Sequence, residues 1–218
     1  MKSVTRRTGI AACCGWAFAL YLGSAAAMAQ DQTWDFQVLL DDAVIGHQNY
    51  VLRDTAAGRE LKTEARFEVR VLLIPAYRYT HQATERWRGN CLVGLHARTD
   101  DDGERSAVSA EQQDRQITVT TAQGSQSVAG CVMSFAYWNP EILGQTRLLN
   151  TQTGKFETVT VAALGSEKIV ARGASVVARR YRITGPKHPI DLWYGADQQW
   201  LALQSTLDKG RILRYQLK

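Results

Sequence analysis

The chain has 218 residues, of which 45% are hydrophobic and 22% charged, with 26 basic against 21 acidic side chains and a net charge of +5. That balance supports a globular body with a proper core and excludes a disordered or collagen-like polymer. Four cysteines and scattered histidines exclude a disulfide-dense miniature or a metal-rich tract.

Residues 1–29 read as an export signal. Lys2, Arg6 and Arg7 are the only early charges, and no acid precedes Asp31. An apolar stretch runs from Ile10 to Leu22, and small residues ending Ala27-Met28-Ala29 form an A-x-A-like cleavage site. The stretch is shorter than the about 20 apolar residues that span a bilayer, so cleavage is expected over an uncleaved anchor. Ile10-Ala11-Ala12-Cys13 resembles a lipoprotein processing box, yet the apolar segment lies mostly after Cys13, which argues against lipidation. Arg6-Arg7 forms a weak twin-arginine pattern with Gly9 where a bulky apolar residue is usual. Sec export to the periplasm is the expectation. Loss of the signal leaves 189 residues with 23 basic and 21 acidic side chains, a net of +2. The basic charge then gives no case for a nucleic-acid partner. Residues 30–218 fit one β-rich domain with no transmembrane helix.

Cys13 and Cys14 leave with the signal, so Cys91 and Cys131 remain. In an oxidising compartment two cysteines predict one disulfide, with two separately buried thiols as the alternative. Two cysteines alone do not make a structural zinc site, and no metal or cofactor is expected.

After the signal the chain alternates with period two, the mark of half-buried strands. Phe36, Val38 and Leu40 share one face of a first strand, and Asp41-Asp42 turns the chain toward a strand around Tyr50-Val51-Leu52. Phe67, Val69, Val71 and Leu73 alternate with Glu68 and Arg70 until Pro75, and a further strand runs from Tyr77 to Trp87. Asp100-Asp101-Asp102-Gly103 and Ala122-Gln123-Gly124 are turn signals, with Ile117, Val119 and Thr121 alternating between them. In Cys131–Leu149 the rhythm breaks, and Asn139-Pro140 predicts the start of one short helix. Strands resume at Phe156–Leu164, Val176–Ile183 and Asp191–Tyr194. Leu201, Leu203 and Leu207 share a face, Asp208-Lys209-Gly210 turns, and Leu213, Tyr215 and Leu217 fill the last strand. Short polar turns between successive strands imply an antiparallel meander.

No H-E-x-x-H, G-x-S-x-G, P-loop or G-x-G-x-x-G pattern is present. The informative stretch is Tyr77–Trp87. Its odd positions place Tyr77, Tyr79, His81, Ala83, Glu85 and Trp87 on one face, aromatic but polar-tipped. Such a face suits either a concave surface holding an amphipathic ligand or a filled core with satisfied hydroxyls. Trp138 and Trp193 join Trp87 as candidate lining residues of a cavity, or as further core. His81 and Glu85 are the acid/base candidates, although four strand residues span about 13 Å, so the two do not touch each other.

These residues resemble a known family in their order: Tyr77-Arg78-Tyr79-Thr80-His81 with Glu85-Arg86-Trp87, Tyr137-Trp138-Asn139, Leu148-Leu149-Asn150 with Thr153-Gly154, and Leu192-Trp193-Tyr194. The resemblance is to a bacterial family of exported proteins of unknown function, which in turn is similar to lipoprotein-carrier (LolA/LolB-like) half-barrel proteins. It implies a mainly β fold, a single curved antiparallel sheet forming a half-barrel or open barrel, with one short helical segment. The carriers bind acyl chains, so the resemblance implies a periplasmic, non-enzymatic binding protein for a lipid or other hydrophobic molecule. Two other readings compete: an envelope accessory or scaffold protein pairing through a sheet edge, and a hydrolase-like enzyme using His81 and Glu85. An empty apolar cavity behind the aromatic faces would favour the first, a long free edge with a packed interior the second.

Overall fold

The structure, a computed structural model, describes residues 31–72 and 74–218 besides Met1. The expected export signal, residues 1–29, therefore lies outside the residues described beyond Met1. From Gln32 the chain lays down eight strands in a continuous meander. They are β1 (Gln32–Leu40), β2 (Ala43–Thr55), β3 (Gly58–Val71), β4 (Ile74–Arg88), β5 (Cys91–Asp101), β6 (Glu104–Gln113), β7 (Gln116–Thr121) and β8 (Gly124–Ala129). A second meander closes the chain with β11 (Thr160–Ala171), β12 (Ala174–Thr184), β13 (Ile190–Tyr194), β14 (Trp200–Thr206) and β15 (Ile212–Leu217). The two meanders fuse because the last strand pairs antiparallel with the first, Tyr215 opposite Val38. One sheet of 13 strands results, with β11 and β8 at its edges, and it is not closed into a barrel.

Turn chemistry sets the hairpins. Asp41 and Asp42 both take positive φ between β1 and β2, the backbone that a two-residue turn with native twist requires. Register shifts at Val38/Leu39, Val69/Arg70 and Arg86/Trp87 add local bend and twist. Pro75 thus sits inside β4, just before its regular pairing begins, instead of ending a strand.

Between the edge strands the segment 130–159 crosses the concave side of the sheet. It holds the 3-10 turn Pro140–Gly144 and a two-stranded sheet of β9 (Arg147–Leu149) and β10 (Phe156–Thr158). Asn139 caps that turn, its side chain accepting from the Glu141 N–H, as the Asn-Pro pair implies. Val132, Met133, Ala136, Ile142, Leu148, Leu149 and Val159 of this segment are buried in the main core with strand residues such as Phe36, Leu61, Leu95 and Trp200. A disulfide joins Cys91 to Cys131 and fixes the point where the segment enters.

One expected strand is divided. Phe156–Leu164 is split at Val159, whose N–H bonds to the Thr146 carbonyl, so Phe156–Thr158 pairs with β9 and the rest begins β11. Gly185, at φ 118°, packs against the Thr158 carbonyl where a Cβ would come within 2.0 Å of the oxygen. No helix among the described residues is long and apolar enough to cross a membrane.

Candidate ligand-binding site

Alternation in β4 turns its odd positions inward and its even positions outward, as the period-two pattern requires. Tyr79, His81, Ala83, Glu85 and Trp87 are buried, whereas Tyr77 is only half-buried at the strand's start. Tyr79 stacks on Phe67 of the neighbouring strand, with ring centroids 5.1 Å apart, and His81 stacks on Tyr79 at 6.5 Å. The Tyr77 hydroxyl donates to Asp101 Oδ1 at 2.7 Å. His81 Nδ1 meets the Thr99 hydroxyl at 2.9 Å, and burial presses its imidazole down to about 4, so it is neutral near pH 7.

Glu85 lies deeper. Burial raises its carboxyl to about 7 in spite of a 2.7 Å hydrogen bond from the Ser134 hydroxyl of the crossing segment. The Trp87 indole N–H leans on the same carboxylate without reaching hydrogen-bond geometry. Trp87 meets Trp138 edge to face at 5.5 Å, and the Arg59 guanidinium sits 4.5 Å from the Trp138 ring centre. His81 and Glu85 have separate partners, Thr99 and Ser134, and the structure does not bring the two together. Among the described residues no three His, Cys, Asp or Glu side chains converge as a metal group.

Trp193 falls elsewhere. Its register partners are Arg180 and Ala202, which put it on the face opposite Leu192. There its indole N–H donates to Glu167 Oε1 at 2.7 Å under the Arg180 guanidinium. Its neighbour Tyr194 faces inward and donates its hydroxyl to the Tyr137 carbonyl at 2.7 Å.

Two apolar clusters divide the concave side. The larger lies under the crossing segment, with Trp200 packed against Phe36, Tyr50 and Tyr137 at 4.5, 5.1 and 5.4 Å. The smaller comprises Val38, Ala65, Phe67 and Tyr79, with the partly exposed Ile45, Tyr77, Leu213 and Tyr215 around them. Tyr215 belongs to both surroundings and still reaches solvent. Beside this smaller cluster the β1–β2 and β3–β4 hairpins expose Val44 (57%), Leu72 (90%) and Ile74 (69%). This end of the half-barrel therefore carries exposed apolar side chains at its hairpins over a buried aromatic cluster, and the other is filled by the chain itself.

Of three surface recesses among the described residues, none is lined by Tyr79, His81 or Trp87, and none is an apolar cavity behind the aromatic faces. Two adjoin each other on the outer face of β3–β7, at about 670 and 760 Å³. The third, about 600 Å³, lies between the Pro140–Gly144 turn and Tyr181, Tyr194 and Gln198. Phe67, Tyr215, Tyr50 and Ser134 join the inner face without having been singled out as site residues. Phe67 and Tyr215 carried a signal, their place in alternating strands. Ser134 carried none, since its partner is 49 residues away.

A comparison with curated proteins gives no match. Among solved structures, a β-barrel-like protein of the domain of unknown function DUF1849 from Brucella abortus is similar, with a TM-score of 0.61. It shares 14% identity, and the similarity covers 86% of this chain and 95% of that one, which speaks to the fold. The model of the domain of unknown function DUF6134 matches residues 36–218. That span takes in the sheet from Phe36 to the last residue together with the crossing segment, and the chain belongs to the DUF6134 family.

Proposed function

We infer that this protein is a non-enzymatic binding protein of the periplasm that takes up a lipid or other hydrophobic molecule at the open end of its half-barrel. The observation that carries the reading is the smaller aromatic cluster, which includes no residue of the crossing segment and is flanked by exposed Val44, Leu72 and Ile74. Soluble monomers rarely display such apolar groups together without a use for them. An acyl chain laid against the exposed Leu72 and Ile74 beside this cluster gains about 0.8 kcal/mol for each CH₂ removed from water. The polar tips of Tyr77 and Tyr215, which still reach solvent, orient its head group, with neutral His81 behind them. The disulfide fits an oxidising compartment, and cleavage after residue 29 would release residues 30–218 as one β-rich domain.

The test is titration of the protein with a fluorescent fatty-acid probe. Val44→Glu with Ile74→Glu should weaken binding at least tenfold while leaving the melting temperature within a few degrees. Unchanged affinity in that variant, or no binding by the parent, would remove the basis for the reading.

A second reading rests on β11. This edge strand runs 12 residues with nearly all side chains exposed, Leu164 and Val170 among them. A free edge of that length accepts a partner strand. Val170→Lys would abolish such an assembly, seen as a loss of mass by light scattering, and would leave probe binding intact.

A further inference from the structure

The two adjoining recesses on the outer face form one polar groove, and nothing in the interior reading uses it. Its floor is a lattice of outward side chains fixed by strand register. Arg66 lies opposite Thr80, and Glu64 and Arg98 flank Gln82 from either side. The β7–β8 turn at Thr121–Gln123 rises as one wall, and Gln152 and Thr153 of the crossing segment close one end.

Charge in the groove is unbalanced. Lys62, Arg66, Arg98 and Arg105 line it against only Glu64 and Asp100. Arg105 is held by Asp100 at 3.0 Å, and the nearby Arg86 outside the groove is held by Glu111. Arg66 and Arg98 have no carboxylate partner among the described residues. They stand two strands and two residues apart, a Cα separation of about 12 Å from strand geometry. Free guanidinium groups present paired donors that match carboxylates, phosphates and sulfates. Between and around them Thr80, Gln82, Thr84, Ser109 and Thr120 supply hydroxyls and amides. No Phe, Tyr or Trp ring lines the groove, and the single imidazole of His96 makes no stacking platform for successive nucleobases.

We propose that this groove is a second binding site, separate from the open end, for an acidic glycan. The hydroxyl and amide floor meets sugar hydroxyls, and Arg66 and Arg98 meet two acidic groups along an extended chain. The proposal stands on the outer face alone and does not depend on the hydrophobic ligand.

The experiment uses the protein without its export signal and polygalacturonate as the probe, read by affinity electrophoresis and calorimetry. Dextran serves as the neutral polymer and polyglutamate as the non-sugar polyanion. Polygalacturonate should bind, weakening as salt rises, with dextran inert and polyglutamate weaker. Arg66→Gln with Arg98→Gln should lower affinity at least tenfold without changing the melting temperature. Arg88→Gln with Arg115→Gln removes the same charge at the far end of the strands and should leave binding within twofold. Equal loss in both double variants, equal binding of dextran, tighter binding of polyglutamate, or no polygalacturonate binding would each overturn the assignment.

Discussion

The Ser134 hydroxyl donates a 2.7 Å hydrogen bond to Glu85 Oε2, tying the crossing segment to the inner face of β4. Burial holds that carboxyl at about 7, above its ordinary 4.5. The folded chain thus binds the proton more tightly than the unfolded one. Stability is full below the unfolded value and falls as pH rises through about 7, by on the order of 3 kcal/mol. Glu85→Gln keeps an acceptor for Ser134 and cannot ionise. Urea denaturation should find it more stable than the parent at pH 8 and nearly equal at pH 4. A variant weaker at pH 8 would mean that Glu85 is stabilising as an anion.

His81 works in the opposite sense. Its imidazole is lowered from 6.5 to about 4 by burial, so the unfolded chain takes up the proton first and stability rises with pH across that interval. Over the overlap of the two intervals the rising and falling slopes offset each other. The parent should give a nearly flat stability profile there, and Glu85→Gln should uncover the rise. His81→Gln should leave only the fall. A steep slope in the parent, with both variants parallel to it, would contradict the assignment.

Reduction of the Cys91–Cys131 disulfide releases the start of the crossing segment. A bridge enclosing a loop of this length adds about 4 kcal/mol in the chain-entropy model. Cys91→Ser with Cys131→Ser should lose stability up to that amount. Hydrogen exchange should accelerate first at the amides beside the bridge, including the Leu92 N–H bonded to the Val132 carbonyl. Uniform acceleration across β1–β4 would show that the segment is not a separate unit.

Trp200 is fully buried between Phe36, Tyr50 and Tyr137 and joins the two meanders. Trp200→Ala should cost about 3–5 kcal/mol by lost contacts and the cavity left behind. Trp200→Phe should cost clearly less. Equal losses in the two variants would point away from packing as the cause.

The inner face of β4 was legible because alternation fixes which side chains share a face, and Tyr79, His81, Glu85 and Trp87 are buried as it implies. The Asn139-Pro140 turn was legible from capping chemistry alone. Trp193 was not, since the aromatic run Trp193-Tyr194 does not say which ring turns inward. Register with Arg180 decides it. The division at Val159 depends on the distant Thr146 carbonyl and on Gly185, and no local pattern encodes either. Nor could spacing reveal that residues 130–159 pack into the larger apolar cluster, because that follows from the fusion of β15 with β1.

The most direct test of hydrophobic-ligand binding is native mass spectrometry of the protein purified gently from its native cells. A bound hydrophobic species is expected, removable by organic extraction and retained less by the Val44→Glu, Ile74→Glu variant. A bare mass for the parent, with no uptake when lipids are offered, would contradict it and leave the β11 edge as the better guide to function.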